Sequence, residues 1–360
     1  MKKQHNFSAG PAAIPHEVLQ RAQAKLVDYE GYGLSLLELS HRGKIYEGVH
    51  SRCIRLLTEI LQVPDTHRVL LLGGGATLQF GMVPMNLLHG NRRKAGIALS
   101  GAWAGKACED LKLIAEDVHV VYDGKKQEYR SLPEMLDVPE EDVYLHLCSN
   151  ETIHGVQWKH FPKVPCPIVA DMSSDILSRP LEWDQFGIVY AGAQKNLGPA
   201  GLCLVVIRED LLAQCSTNIP AYLRYDIHAK NNSLYNTPPS FAVYMVMLQL
   251  EWVLERGGLS GIQQQNQTKA DKLYQFIDSS DGFYSNPVER AVRSEMNVPF
   301  LLSDTNLEAA FLAEASERGM EGLKGHRSVG GMRASIYNAV KSESVDALLE
   351  FMAEFQAKNH

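Results

Sequence analysis

Seven short apolar runs between residues 68 and 207 constrain this chain more than any other feature. They read RVLLL (68–72), AGIALS (95–100), VHVVYD (118–123), VYLHLC (143–148), PIVAD (167–171), GIVYAGA (187–193) and LCLVVI (202–207). Short and almost continuously apolar, they predict strands buried in a sheet. Glycines, irregular loops and helix-like stretches such as AWAGKACEDLKLI lie between them. That alternation predicts an α/β domain with a mostly parallel sheet flanked by helices. Ligands of such sheets collect at the carboxyl ends of the strands.

The stretch FAVYMVMLQLEWVLERGG (241–258) predicts a long helix closing on glycines. Beyond it the texture changes to helix, NVPFLL, helix, MRASIY, helix, which predicts a smaller C-terminal α+β domain. The expected division is an N-terminal arm over 1–15, a large domain over 16–259 and a small domain over 260–360; 360 residues suffice for two cores. A net charge of −7 argues against generic nucleic-acid binding, which needs a basic surface. Lys2 and Lys3 imitate the start of a signal peptide, but no apolar segment follows them, and no run of about 18 apolar residues predicts a membrane helix. The six cysteines lack CxxC spacing, so they predict reduced, buried thiols in a cytoplasmic protein, with neither a disulfide framework nor a metal site.

Lys195 stands in GAQKNLGPAG, among small residues and directly after a predicted strand. Surface lysines usually sit among other charges; this one is placed where its amine can be reached. Asp171 ends the preceding strand, either as a cap of the turn that follows or as an acid facing a site; in the second case neighbouring strands present an acid and an amine at one sheet edge. Gly73-Gly74-Gly75 follow another strand and precede ATLQFGMVPMNLL. That loop is either a plain strand-to-helix turn or a cradle of backbone N–H groups for a phosphate, with Thr77 as an added donor. It carries no Gly-Lys-Ser/Thr, and Leu78 replaces the third glycine of a dinucleotide fingerprint. A lysine, a carboxylate and a phosphate cradle at one edge meet the requirements of pyridoxal phosphate: an amine for its aldehyde, an anion for its ring nitrogen, donors for its phosphate. Trp103, in LSGAWAGKA, could stack on such a ring, and Thr152, in SNETIHG, could bond its hydroxyl side. Two His–Arg clusters, His41 and Arg42 in SHRGKIYEG and His326, Arg327 and Arg333 in GHRSVGGMRASIYN, favour an anionic substrate.

With these residues in view, the chain resembles the phosphoserine aminotransferases, class-V enzymes of the fold-type-I pyridoxal-phosphate transferases. The resemblance rests on NFSAGPAAIP, SHRGKIYEG, GGGATLQF, SGAWAGKA, SNETIHG, ADMSSDILSRP, YAGAQKNLGPAG, YNTPPSF and GHRSVGGMRASIYN, in the family's order over nearly the whole chain. It implies that Lys195 binds the cofactor aldehyde and shuttles the substrate proton, that Asp171 holds the pyridine nitrogen, that Trp103 stacks and that Thr152 meets the ring hydroxyl. The backbone at Ala76 and Thr77, with Gln194, would hold the cofactor phosphate, completed by Asn236 and Thr237 from the other subunit of a homodimer. His41, Arg42, His326 and Arg327 would bind the substrate phosphate or the distal carboxylate of glutamate, and Arg333 the α-carboxylate. Some relatives carry an arginine where this chain has Ala76-Thr77. The implied reaction exchanges 3-phosphohydroxypyruvate and L-glutamate for O-phosphoserine and 2-oxoglutarate, in serine biosynthesis, with phosphorylated hydroxy-amino acids of vitamin B6 biosynthesis as second substrates. The rivals are an alanine–glyoxylate aminotransferase or a cysteine desulfurase on the same scaffold, or a protein of this fold without activity.

Overall fold

The computed structural model describes residues 4–359, so Lys2 and Lys3 and the first residues of the expected arm lie outside the described residues. All seven apolar runs form strands of one sheet: β1 (His67–Gly73), β2 (Lys94–Leu99), β3 (Asp117–Asp123), β4 (Leu145–Cys148), β5 (Ile168–Asp171), β6 (Phe186–Gly192) and β7 (Leu202–Arg208). Their order across the sheet is β1-β7-β6-β5-β4-β2-β3. Strands β2 to β6 pair in parallel, whereas β7 runs antiparallel to both β1 and β6. The physical reason lies in the connection: the stretch from Ala193 to Gly201 is too short for a crossover helix, so the chain must turn back.

Successive side chains of a strand point to opposite faces, and here both faces are covered. Val69, Leu71, Val189, Ala191 and Leu204 enter one core with helix α1 (Lys44–Ile60) and the helix over Ser240–Glu255. Leu70, Leu72, Ile188, Tyr190 and Val205 enter the other, with α2 (Ala76–Leu87) and α3 (Ala102–Ile114). Helix α1 presents Val49, Cys53, Leu56, Leu57 and Ile60, the spacing of a single helical face. Helix α4 (Ser240–Glu255) is apolar nearly all round because it is wedged inside the core. Left-handed Gly257 then turns the chain into α5 (Gly258–Asp278).

The C-terminal part is a three-stranded antiparallel sheet, β8 (Tyr284–Ser285), β9 (Asn297–Leu302) and β10 (Met332–Ser335), with order β8-β9-β10. Helices α5, α6 (Glu308–Glu317) and α7 (Ser342–Asn359) enclose its separate core around Phe300, Phe311 and Phe351. Helix α5 belongs to both bodies: Leu259 and Ile262 join the large core, whereas Leu273 and Ile277 join the small one. Among the described residues, no helix is long and apolar enough to cross a membrane.

Candidate active site

The loops after β1, β2, β4, β5 and β6 line a cleft at the carboxyl edge of the sheet. Ala76, Thr77, Trp103, Thr152, Asp171, Gln194 and Lys195 line it. Seven residues singled out in distant stretches of sequence thus converge on one place.

Asp171 ends β5 and Lys195 follows β6, the adjacent parallel strand, which brings the two charges to the same edge. Asp171 is 5% exposed. Its Oδ1 accepts the backbone N–H of Ser173 at 2.9 Å and the Ser173 hydroxyl at 2.5 Å. Ser173 Oγ in turn accepts the N–H of Gly192 at 3.0 Å, so the turn after β5 is pinned to the end of β6. Burial pushes the Asp171 carboxyl up from its ordinary value, and the two Ser173 bonds and the Lys195 charge pull it back. With Oδ1 occupied, Oδ2 is the oxygen left for a ligand.

Lys195 is part-buried, and its Nζ donates to Thr152 Oγ1 at 2.6 Å. Burial lowers its pKa, opposed by Asp171, Cys148 and Glu151. The amine is therefore free of its proton more often at neutral pH than a surface lysine is. Nζ lies 5.5 Å from the centroid of the Trp103 ring, which forms one wall of the cleft.

Helix α2 begins at the glycine loop with no side-chain cap and no acidic residue in its first turn. Its leading N–H groups therefore face the cleft unsatisfied, as an anion site requires. A Cβ on Gly192 would come within 3.3 Å of Ala76 N, so glycine there keeps that end of the cradle uncrowded. A cleft-lining carboxylate whose Ser173 bonds occupy only Oδ1, a lysine with weakened basicity, an aromatic wall and an uncapped helix start suit the ring nitrogen, aldehyde, ring face and phosphate of pyridoxal phosphate. The residues present fit that cofactor.

On the far side of Thr152, Arg333 is buried, and its Nη1 donates to the Thr152 carbonyl at 3.2 Å. Its Nε has no partner, and burial lowers its pKa. Burial also lowers His326, helped by the charges of Arg333, Arg327 and Lys106, which places these cations in one electrostatic cluster. Lys106, which the sequence reading passed over, sits with Nζ 4.6 Å from the Trp103 ring centroid.

His41 and Arg42, in the turn before α1, do not line the cleft. Neither do Asn236 and Thr237; Asn236 Nδ2 merely bonds the Thr237 carbonyl at 3.0 Å. Three features had no signal in the residue pattern. Ser173 orients Asp171, buried Glu151 accepts the backbone N–H of Trp103, and the N-terminal stretch reaches the loop of Lys195, with Ala12 N–H donating to the Gln194 carbonyl at 2.9 Å. Cys148 also lines the cleft, but burial raises its thiol well above the ordinary range, which denies it the thiolate a nucleophile needs.

The model of the class-V aminotransferases matches residues 4–348. The chain is 51% identical to a phosphoserine aminotransferase of Niallia circulans, over 99% of this chain and 98% of that protein. It superposes on the phosphoserine aminotransferase of Bacillus circulans subsp. alkalophilus with a TM-score of 0.97, at 50% identity and 99% coverage of both. The pyridoxal-phosphate-bound phosphoserine aminotransferase of Trichomonas vaginalis gives a TM-score of 0.91 at 37% identity, covering 98% of this chain and 100% of that one.

Proposed function

The chain belongs to the class-V aminotransferase family, and on that premise we propose that it is a phosphoserine aminotransferase dependent on pyridoxal phosphate. It transfers the amino group of L-glutamate to 3-phosphohydroxypyruvate, giving O-phosphoserine and 2-oxoglutarate, reversibly. The observation that carries this reading is the pairing of Lys195 with Asp171 beside an uncapped helix start, in a chain half identical to enzymes of that name. A cysteine desulfurase is disfavoured by the inert Cys148. A second substrate from vitamin B6 biosynthesis is compatible with the same anion sites.

When bound, pyridoxal phosphate supplies an electron sink for the charge that develops at the substrate Cα. Lys195 would hold the cofactor aldehyde through its amine and, once displaced by the substrate amine, would carry the proton between the substrate Cα and the cofactor. Asp171 would accept from the ring N–H through Oδ2 and keep that nitrogen protonated. Trp103 would cover the ring, Thr152 would face its hydroxyl side, and Ala76, Thr77 and Gln194 would hold the phosphate. Arg333, fixed on Thr152, takes the α-carboxylate; His326 and Arg327 take the distal anion. The arm 1–15, the large domain 16–259 and the small domain 260–360 go with this reading, supported by the two cores that share α5. So does a cytoplasmic location, supported by six unpaired cysteines, all buried.

The reading includes a homodimer with shared sites. Large apolar side chains are exposed beside the loop of Asn236 and Thr237 (Tyr222 at 41%, Tyr235 at 43%) and before His41 and Arg42 (Val27 at 83%, Tyr32 and Leu37 at 59%). Exposed apolar groups of that size favour a protein partner. Each subunit then lends these residues to its neighbour across a two-fold axis. Complementation tests the loan. Lys195→Ala and Asn236→Ala/Thr237→Ala are refolded together with cofactor; a mixed dimer has one intact site, made of the double variant's Lys195 and the other chain's loop. Random pairing of two subunits predicts recovery of about a quarter of wild-type activity. No recovery in demonstrated mixed dimers would place the loop in its own site.

Substrate choice is tested by amino donors to 2-oxoglutarate, with O-phosphoserine preferred over serine, alanine and aspartate. A site with desolvated guanidinium groups penalises a donor that leaves them unpaired. Arg42→Ala should lower kcat/KM for O-phosphoserine by roughly 100-fold and for alanine hardly at all, the scale of a lost charge-assisted contact. Equal losses for both donors would remove Arg42 from the anion site.

A further inference from the structure

A short hairpin, Asn150–Glu151 paired with Val156–Gln157, ties the walls of the cleft together. Asn150 Nδ2 donates to Ser174 Oγ and to Asn297 Oδ1, both at 2.8 Å, which anchors the hairpin to both bodies of the protein. Thr152 bonds Lys195 through its hydroxyl and Arg333 through its carbonyl. Between them stands Glu151, 0% exposed, although a carboxylate is among the costliest groups to bury.

Its carboxylate reaches the first turn of α3. Oε2 accepts the N–H of Trp103 at 3.1 Å, and Oε1 accepts the N–H of Ala104 at 2.9 Å and the Ser100 hydroxyl at 3.5 Å. Helix α3 has no side-chain cap of its own, because its N-cap residue is Gly101. The φ of 173° at Gly101 is open to any residue, so conformation does not require glycine there. Space does: a Cβ would collide with the Glu151 side chain. The indole of Trp103 has no hydrogen bond of its own at Nε1, so its orientation depends on where the backbone holds residue 103.

We propose that Glu151 is a positioning residue of the aminotransferase: it fixes the first turn of α3 so that Trp103 is held as a platform for the cofactor ring, and its carboxylate adds negative charge beside Lys195. The inference rests on the transaminase reading above. Glu151 faces Lys195, Asp171, Cys148 and Tyr129. Burial pushes it up to about 7, against the pull of the Ala104 and Trp103 N–H groups. Losing its charge removes one of the groups that keep the Lys195 amine protonated, so the amine gives up its proton at lower pH.

Glu151→Gln keeps one acceptor but turns an NH₂ toward a backbone N–H; Glu151→Ala removes both acceptors; Gly101→Ala keeps the carboxylate and displaces it. Each is measured as full-length protein for far-UV and near-UV circular dichroism, for the Kd of pyridoxal phosphate, and for the pH dependence of the bound cofactor's visible absorbance. Trp103→Phe identifies the Trp103 contribution to the near-UV signal. The expected result is an unchanged far-UV spectrum, a reduced Trp103 signal, and a Kd raised about tenfold in Glu151→Gln and further in Glu151→Ala, the scale of one lost hydrogen bond to a charged group. The absorbance titration of Glu151→Gln should move to lower pH. If Glu151→Ala does not fold, Glu151→Gln and Gly101→Ala decide. Wild-type affinity in the folded variants overturns the proposal, whether or not the Trp103 signal changes. Failure of the wild-type chain to bind pyridoxal phosphate would instead overturn the transaminase reading, and the near-UV signal of the protein alone would still report on Glu151 and Trp103.

Discussion

Lys195→Ala is expected to lower turnover by on the order of 10⁴ or more, since one residue provides both the attachment point and the general base. The fold should survive. Lys195 donates one hydrogen bond, to Thr152, and its side chain otherwise borders the cleft. Pyridoxal phosphate should still bind, because the helix start at Ala76, the Asp171 carboxylate and the Trp103 face remain. It should, however, bind without covalent attachment: borohydride followed by denaturation should release it from the variant and retain it in the wild type. The rate of covalent attachment carries a second test. Burial lowers the Lys195 pKa below the ordinary 10.5, so the fraction of free amine rises as pH climbs through the lowered value and then stops rising. Attachment to the wild-type chain should therefore plateau before pH 10.5, where an exposed lysine would still be gaining. A variant that keeps reducible cofactor and near-normal turnover would show that another amine does the work.

Lys195 and Asp171 were legible in the sequence because their signal is local. Each sits at the end of an apolar run, and parallel pairing places the ends of neighbouring strands at one edge. The seven strands were legible for the same reason, since a sheet covered on both faces demands continuous apolar runs. The direction of β7 was not, because it depends on the length of the 193–201 connection rather than on the strand's residues. Ser173 and Glu151 were hidden for another reason. Their importance comes from what they touch, Gly192 on the next strand and the first turn of a helix some fifty residues earlier (a separation of 48 for Trp103), and nothing in their own neighbourhood announces it. His41, Arg42, Asn236 and Thr237 mark the other limit. Their residue types suit anion binding, yet they stand away from the cleft; only the proposed homodimer would bring them to it, from the other subunit.

Asp171→Asn should separate what the carboxylate does for catalysis from what it costs the fold. Asparagine keeps the shape and an acceptor for Ser173, but not the charge. A carboxylate about 3 Å from a protonated ring nitrogen, at an effective dielectric near 20, is worth roughly 5 kcal/mol before desolvation is subtracted. A net loss of about 4 kcal/mol corresponds to roughly a thousandfold in kcat/KM, which is the expected effect. Ser173→Ala, which removes a hydroxyl bond but leaves the charge, should cost only about tenfold. Stability of the cofactor-free protein should move the other way. The pKa of Asp171 in the folded chain is raised by burial, so the folded state holds a proton that the unfolded state has released, over the interval from 3.8 up to the raised value. The ionised carboxylate thus opposes folding increasingly as pH rises through that interval. Replacing it with a neutral amide removes that penalty, and the cofactor-free variant should be more stable than wild type at pH 7 by about 1 kcal/mol. At a pH below 3.8, where both forms of the aspartate are protonated, the advantage should vanish. Saturating pyridoxal phosphate should reverse the order, because the ligand stabilises the wild-type chain through a contact the variant lacks. Equal stability of the two cofactor-free proteins at pH 7, with activity intact, would mean that Asp171 is not held in the folded chain as an unpaired charge awaiting its partner.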